Sequence, residues 1–113
     1  MSLIVYGLKN CDTCKKAKKW LDEQDKSYEF KDLRADGFSE DNLSRWLEMA
    51  GWEILLNKRG TTWRALSDEV KNSTDASNVK ALMLESPALM KRPIFDFGDR
   101  VVVGFTAKQQ VEL

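Results

Sequence analysis

Leu3-Ile4-Val5-Tyr6-Gly7-Leu8-Lys9-Asn10-Cys11-Asp12-Thr13-Cys14-Lys15-Lys16-Ala17-Lys18-Lys19-Trp20-Leu21 decides the fold. Its opening part, from Ser2 to Tyr6, is a short β-rich run that stops at Gly7, as a buried strand does. Helical periodicity follows at once. From about Thr13 to Gln24, Cys14, Ala17 and Leu21 recur at i, i+3 and i+7, while Lys15, Lys16, Lys18 and Lys19 take the other faces. That spacing turns Cys14 inward. Cys11 falls outside the stripe, at the helix start, where the first backbone N–H groups lack partners and the helix dipole is positive.

Downstream, Tyr28 to Leu33 reads as a second strand, so that strand, crossover helix and strand make a right-handed parallel βαβ unit. The pattern from Ser39 to about Met90 is helical. Ser39 caps a helix with Leu43, Trp46, Leu47 and Ala50 on its apolar face, and Gly51 closes it. Trp52 to Asn57 adds one or two turns, Lys58 to Thr62 is a loop, and Thr74 or Asp75 starts a helix carrying Val79, Leu82 and Met83. Ser86-Pro87 opens a last short turn, since proline suits the first helical position. Ile94 to Phe97 and Arg100 to Gly104 form a hairpin about Gly98-Asp99, and Thr106 caps a C-terminal helix. The order β-α-β, helical insert, β-β-α predicts an α/β thioredoxin-like fold. Its four-stranded mixed sheet carries a helical insertion at about residues 39–91, within one domain spanning 1–113.

Composition removes several functions. The 113 residues hold 18 basic and 18 acidic side chains and no histidine. Zero net charge argues against a general binder of nucleic acid or membrane surfaces. Without histidine there is no Ser-His or Cys-His dyad and no imidazole proton shuttle. Zinc usually takes four ligands, and with no histidine and two thiols only a dimer could supply four sulfurs. No bound cofactor or metal is expected. The opening residues are too short and too alternating for a signal peptide, and no apolar run approaches the ~18 residues of a membrane span; the expected location is the cytoplasm.

Cys11 and Cys14 close too small a loop to constrain an unfolded chain, so a stabilising bridge explains them poorly. In a reducing compartment the spacing reads as redox chemistry. The alternative is an ordinary pair of packed or surface cysteines. In the redox reading Cys11 is the nucleophile and Cys14 the resolving thiol. A free thiol of pKa about 8.5 is only about 3% ionised at pH 7, and lowering that pKa by roughly two units takes about 2.7 kcal/mol. A helix terminus supplies about 0.3 to 2 kcal/mol. The remainder has to come from the Thr13 and Cys14 backbone N–H groups, the Cys14 thiol, and a guanidinium brought from elsewhere in the chain.

Arg92-Pro93-Ile94 is the second informative site. A cis Pro93 just before a strand would bring an extended backbone edge and Arg92 beside Cys11; a trans proline would simply start the strand and leave Arg92 solvated. The stretch Asn57-Lys58-Arg59-Gly60-Thr61-Thr62-Trp63-Arg64 carries three cations in eight residues. It admits two readings, an anion-binding loop favoured by the arginine fork or a solvated helix connection with Trp63 as core. Trp20, Trp46 and Trp52 read as packing residues.

Tyr6 to Ala17, Leu55 to Arg64, Lys91-Arg92-Pro93-Ile94 and Val103-Gly104-Phe105 together resemble the ArsC/Spx family, and most closely its YffB-like branch. The resemblance spans almost the whole chain. It implies a catalytic cysteine at Cys11, an arginine before proline at Arg92, and a glutathione-linked thiol reductase. Asn10, Thr13, Arg59, Arg64 and Pro93 are then expected to contact substrate, with glutathione or another small thiol or disulfide as partner. The sequence departs from true arsenate reductases, which use further arginines where this chain has Asn57 and the Gly104-Phe105 neighbourhood. The paired Cys14 is instead shared with Spx-type regulators, for which the resemblance implies a redox switch contacting RNA polymerase. The stretch 20–50, with nine acidic and four basic residues, is either such a surface or a solvated face.

Overall fold

The computed structural model describes residues 3–113, so Ser2, where the expected first strand begins, lies outside them. The chain divides into two compact units, one formed by residues up to Phe38 together with Arg92–Leu113, the other by Ser39–Lys91.

The first unit is built on a four-stranded sheet. Strands β1 (Ile4–Gly7), β2 (Glu29–Asp32), β3 (Ile94–Asp96) and β4 (Val101–Val103) lie in the order β2-β1-β3-β4. β1 pairs in parallel with β2 and antiparallel with β3, which pairs antiparallel with β4. The sheet is mixed, as expected. Registration puts Phe30, Val5, Phe95 and Val102 in one row across it. Side chains alternate faces along a strand, so this row shares a face, and it joins Leu3, Ala17 and Leu21 in one apolar cluster. Helix α1 (Asp12–Glu23) supplies Ala17 and Leu21, and its buried residues are Cys14, Ala17 and Leu21, the stripe read from the spacing. Val5 and Tyr6 are both buried, so the central strand is covered on both faces.

The β3–β4 hairpin turns through Gly98 at a φ of +88°, where a side chain would be strained. The buried Asp96 carboxylate accepts the Gly98 N–H at 2.9 Å. The C-terminal helix, here called α7 (Ala107–Glu112), starts at a capping box in which Thr106 and Gln109 bond reciprocally. Phe105, just before it, meets Trp20 edge-on at 5.8 Å and Phe95 at 6.1 Å.

The second unit is helical: α2 (Glu40–Ala50), α3 (Trp52–Leu55), α4 (Thr61–Arg64), α5 (Asp68–Ser73), α6 (Val79–Glu85) and a 3₁₀ turn at Pro87–Leu89. Ser39 caps α2 by accepting the Asn42 N–H, and Gly51 ends it at a φ of +90°. Two expectations fail here. Thr61 and Thr62 begin α4 rather than completing a loop, and the helix expected from Thr74 or Asp75 begins only at Val79, as α6, preceded by α5, which Ser67 caps. Asp75 and Asn78 instead exchange side-chain bonds with each other's neighbourhood: Asn78 Oδ1 accepts the Asp75 N–H, and Asp75 Oδ1 accepts that of Ser77. This local alternative to helical pairing delays α6 to Val79. Trp46 and Trp63 are buried, whereas Trp20 and Trp52 are half-buried. Among the described residues no helix is long and apolar enough to cross a membrane.

Phe95 is fully buried at the centre of the sheet cluster. Phe95→Ala should cost about 3 to 5 kcal/mol, read from the urea midpoint, while Val111→Ala, at an 88% exposed position, should stay within about 0.5 kcal/mol of the parent.

Candidate functional site

The site begins where β1 runs out. Past Gly7 the chain makes a turn closed by the Cys11 N–H donating to the Leu8 carbonyl at 3.2 Å. Cys11 is the N-cap of α1, with extended backbone angles and its carbonyl accepting the Lys15 N–H. The two cysteines are free thiols with unlike surroundings: Cys11 is half-buried and Cys14 is fully buried. A Cβ placed on Gly7 would stand 2.5 Å from the Cys14 sulfur. Only glycine lets the strand end and the Cys14 thiol approach so closely.

Burial works against ionisation of Cys11, but it is outweighed. The Cys14 backbone N–H, the Cys14 thiol, and both a hydrogen bond and the charge of Arg92 favour the thiolate, and the net pKa lies below the ordinary thiol value. The sulfur makes no formal side-chain cap; a large, soft acceptor gains from the nearby N–H through its field rather than through a tight bond. Cys14 goes the other way. Burial, then the bond to Cys11 and its negative charge, outweigh the Leu8 backbone and Arg92 and push Cys14 to about 12.

Arg92 reaches the sulfur from the segment before β3, where the Arg92–Pro93 peptide bond is cis. Pro93 is buried, and its carbonyl accepts the Gly104 N–H at 2.9 Å. A cleft of about 500 Å³ opens beside Cys11, lined by the turn from Leu8 to Cys11, by Asp32, Arg34 and Ala35 after β2, and by Arg92. Of the residues expected to contact substrate, Asn10 lines this cleft, whereas Thr13 is exposed on the first turn of α1 and is not part of the lining. Arg59 and Arg64 belong to the helical unit, both exposed. Asn57 Oδ1 accepts the Arg59 N–H at 3.2 Å, and Lys58 lies 5.8 Å above the buried Trp63 ring.

Asp32, Lys9 and Arg34 were not legible as site residues in the sequence. Asp32 is buried at the end of β2 and accepts three backbone N–H groups at 2.8 Å each: Lys9 on Oδ2, Arg34 and Ala35 on Oδ1. One carboxylate thereby ties the turn carrying Cys11 to the turn after β2. The available signal was an aspartate followed by turn-forming residues up to Gly37, which marks an Asx turn.

The profile of the ArsC family matches residues 6–113. The chain belongs to the ArsC family. An uncharacterized protein of Haemophilus influenzae is 42% identical over 107 residues, covering 95% of this chain and 94% of its own. A solved structure described as YFFB protein superposes with a TM-score of 0.90 at 40% identity, covering 98% of this chain and 97% of that one. The global transcriptional regulator Spx of Staphylococcus haemolyticus is 28% identical over 98 residues, which is 85% of this chain and 74% of the regulator. This ArsC-family chain therefore has both the thioredoxin-like fold and the relatives that its motifs resemble.

The Ala35 N–H most strongly, with those of Lys9 and Arg34 and the charge of Lys9, holds the Asp32 carboxyl below its ordinary value against the effect of burial. A depressed carboxyl stabilises the fold above its unfolded pKa of about 3.9 and loses that contribution as pH falls through the lower folded value. Asp32→Ala should therefore cost about 2 to 4 kcal/mol at neutral pH, and the gap from the parent in urea titrations should shrink below about pH 4. Asp32→Asn, which keeps one acceptor oxygen, should lose less.

Proposed function

We propose that this ArsC-family protein is a cytoplasmic thiol–disulfide reductase that takes its electrons from glutathione. The observation that carries this reading is the half-buried Cys11 sulfur, stabilised as thiolate and open to a cleft, with a second, protonated sulfur directly behind it. The Cys11 thiolate attacks one sulfur of a substrate disulfide. That S–S bond breaks, one substrate thiolate leaves, and a Cys11–substrate mixed disulfide forms. Cys14 then loses its proton and attacks the Cys11 sulfur, expelling the second substrate thiolate and closing a Cys11–Cys14 bridge. Two glutathione molecules reduce the bridge and become glutathione disulfide.

The high pKa of Cys14 is compatible with the second step. Part of what raises it is the bond to Cys11 and the charge there. Both depend on an ionised Cys11, and the mixed disulfide removes that charge. Cys14 becomes easier to deprotonate at the stage that needs it. Arg92 stabilises the attacking thiolate and keeps a positive charge beside the leaving group. Arg59, Arg64, Asn10, Thr13 and Pro93 remain proposed substrate contacts, of which Asn10 has the support of lining the cleft.

The similarity to Spx supports a second reading, a redox-sensing regulator in which the Cys11–Cys14 bridge alters a surface that meets RNA polymerase. Arsenate reduction is the weaker enzymatic reading, because Asn57 stands where the resemblance to arsenate reductases calls for an oxyanion-holding arginine. Capture of RNA polymerase by the oxidised but not the reduced protein would favour the regulator.

Hydroxyethyl disulfide reduction coupled to glutathione turnover tests the enzyme directly. The parent should turn over, Cys11→Ser should fall to background, and Cys14→Ser should accumulate a glutathione adduct on Cys11 visible by intact-protein mass spectrometry. A parent protein with neither turnover nor adduct would overturn the reading.

A further inference from the structure

We infer that Lys9 and Arg34 form a carboxylate subsite in the Cys11 cleft, which makes the protein selective for thiols and disulfides bearing a free carboxylate. The inference rests on the reductase reading of Cys11 and adds the substrate class that the cleft takes.

Three cations line the cleft, Lys9, Arg34 and Arg92, against the single carboxylate of Asp32. Their duties differ. Arg92 is engaged with the Cys11 sulfur. The hydrogen bonds of Asp32 go to backbone, its two oxygens accepting three N–H groups, two of them the main-chain N–H groups of Lys9 and Arg34 themselves, while the Lys9 charge also acts on the carboxylate. The buried carboxylate thus anchors the main chain of both remaining cations while their side chains stay exposed at the cleft. Among the described residues, no carboxylate lies within ion-pair distance of the Arg34 side chain.

The backbone under Arg34 is held from several directions. The Asp32 N–H donates to Asp36 Oδ2 at 2.7 Å, the Asp36 and Gly37 N–H groups return to the Asp32 carbonyl, and the Leu33 N–H donates to the Gly7 carbonyl at 2.8 Å. Leu33 is buried and Arg34, the next residue, is exposed. A cation anchored in this way pays little further backbone entropy on engaging a ligand, and a planar guanidinium matches a carboxylate with two parallel bonds. Lys9 adds a point charge from the turn that carries Cys11. The complementary ligand is a small thiol whose carboxylate reaches these cations while its sulfur meets Cys11. Glutathione has this chemistry; cysteamine and a fully esterified glutathione do not.

Alkylation of Cys11 in the full chain tests the subsite apart from turnover. Iodoacetate and iodoacetamide undergo the same displacement, in which the thiolate forms an S–CH₂ bond and iodide leaves, but only iodoacetate brings a carboxylate. Dividing the iodoacetate rate by the iodoacetamide rate removes any change in thiolate fraction. The ratio should fall about two- to five-fold in Arg34→Gln, further in Lys9→Gln/Arg34→Gln, and should recover partly in Arg34→Lys. Since the side chains are exposed, these variants should fold, which circular dichroism checks. Glutathione should likewise lose its KM advantage over its diester in Arg34→Gln. An unchanged ratio with a reactive Cys11 would overturn the subsite and leave the reductase standing; a parent Cys11 unreactive to both reagents at neutral pH would overturn both.

Discussion

Everything chemical in this protein depends on negative charge being tolerable on one sulfur at the β1–α1 junction. Burial disfavours that charge, so it has to be outweighed by groups delivered from two parts of the chain. The Cys14 backbone N–H and thiol come from the same helix, three residues on. Arg92 comes from more than seventy positions downstream, brought back by the antiparallel pairing of β3 with β1. Helix start and sheet order therefore act on the same atom. Gly7 completes the arrangement, because any side chain there would collide with the sulfur of Cys14.

The two thiols divide their labour through solvation. Cys14 sits in the buried stripe of α1 and pays the full desolvation cost of ionising, while Cys11, one turn earlier at the N-cap, pays less and collects the favourable partners. Proximity couples them further, since charge on one raises the energy of charge on the other. One thiol eased toward ionisation and one held back from it follow from two positions on one helix.

The strand–helix–strand order, the inward turn of Cys14 and the hairpin at Gly98 were legible because each depends on short-range periodicity or on a single glycine. The late start of α6, at Val79 rather than at Thr74 or Asp75, was not, since it turns on side-chain bonds among Asp75, Ser77 and Asn78 that compete with helical pairing only locally. Of the site, the two cysteines and Arg92 were readable from spacing and from the proline that follows the arginine. Asp32 was hidden within an expected strand running to Leu33. Its role depends on a bond to Lys9, twenty-three residues away, and no periodicity encodes that.

The most direct measurement is the ultraviolet absorbance of the thiolate as a function of pH in the reduced protein and in Arg92→Gln, with Cys11→Ser as the blank. The parent should show one sulfur ionising below the ordinary thiol range, an ionisation absent from the blank and moved upward in Arg92→Gln while the fold is retained. A Cys11 titration at the ordinary thiol value, or one indifferent to the loss of Arg92, would contradict the account.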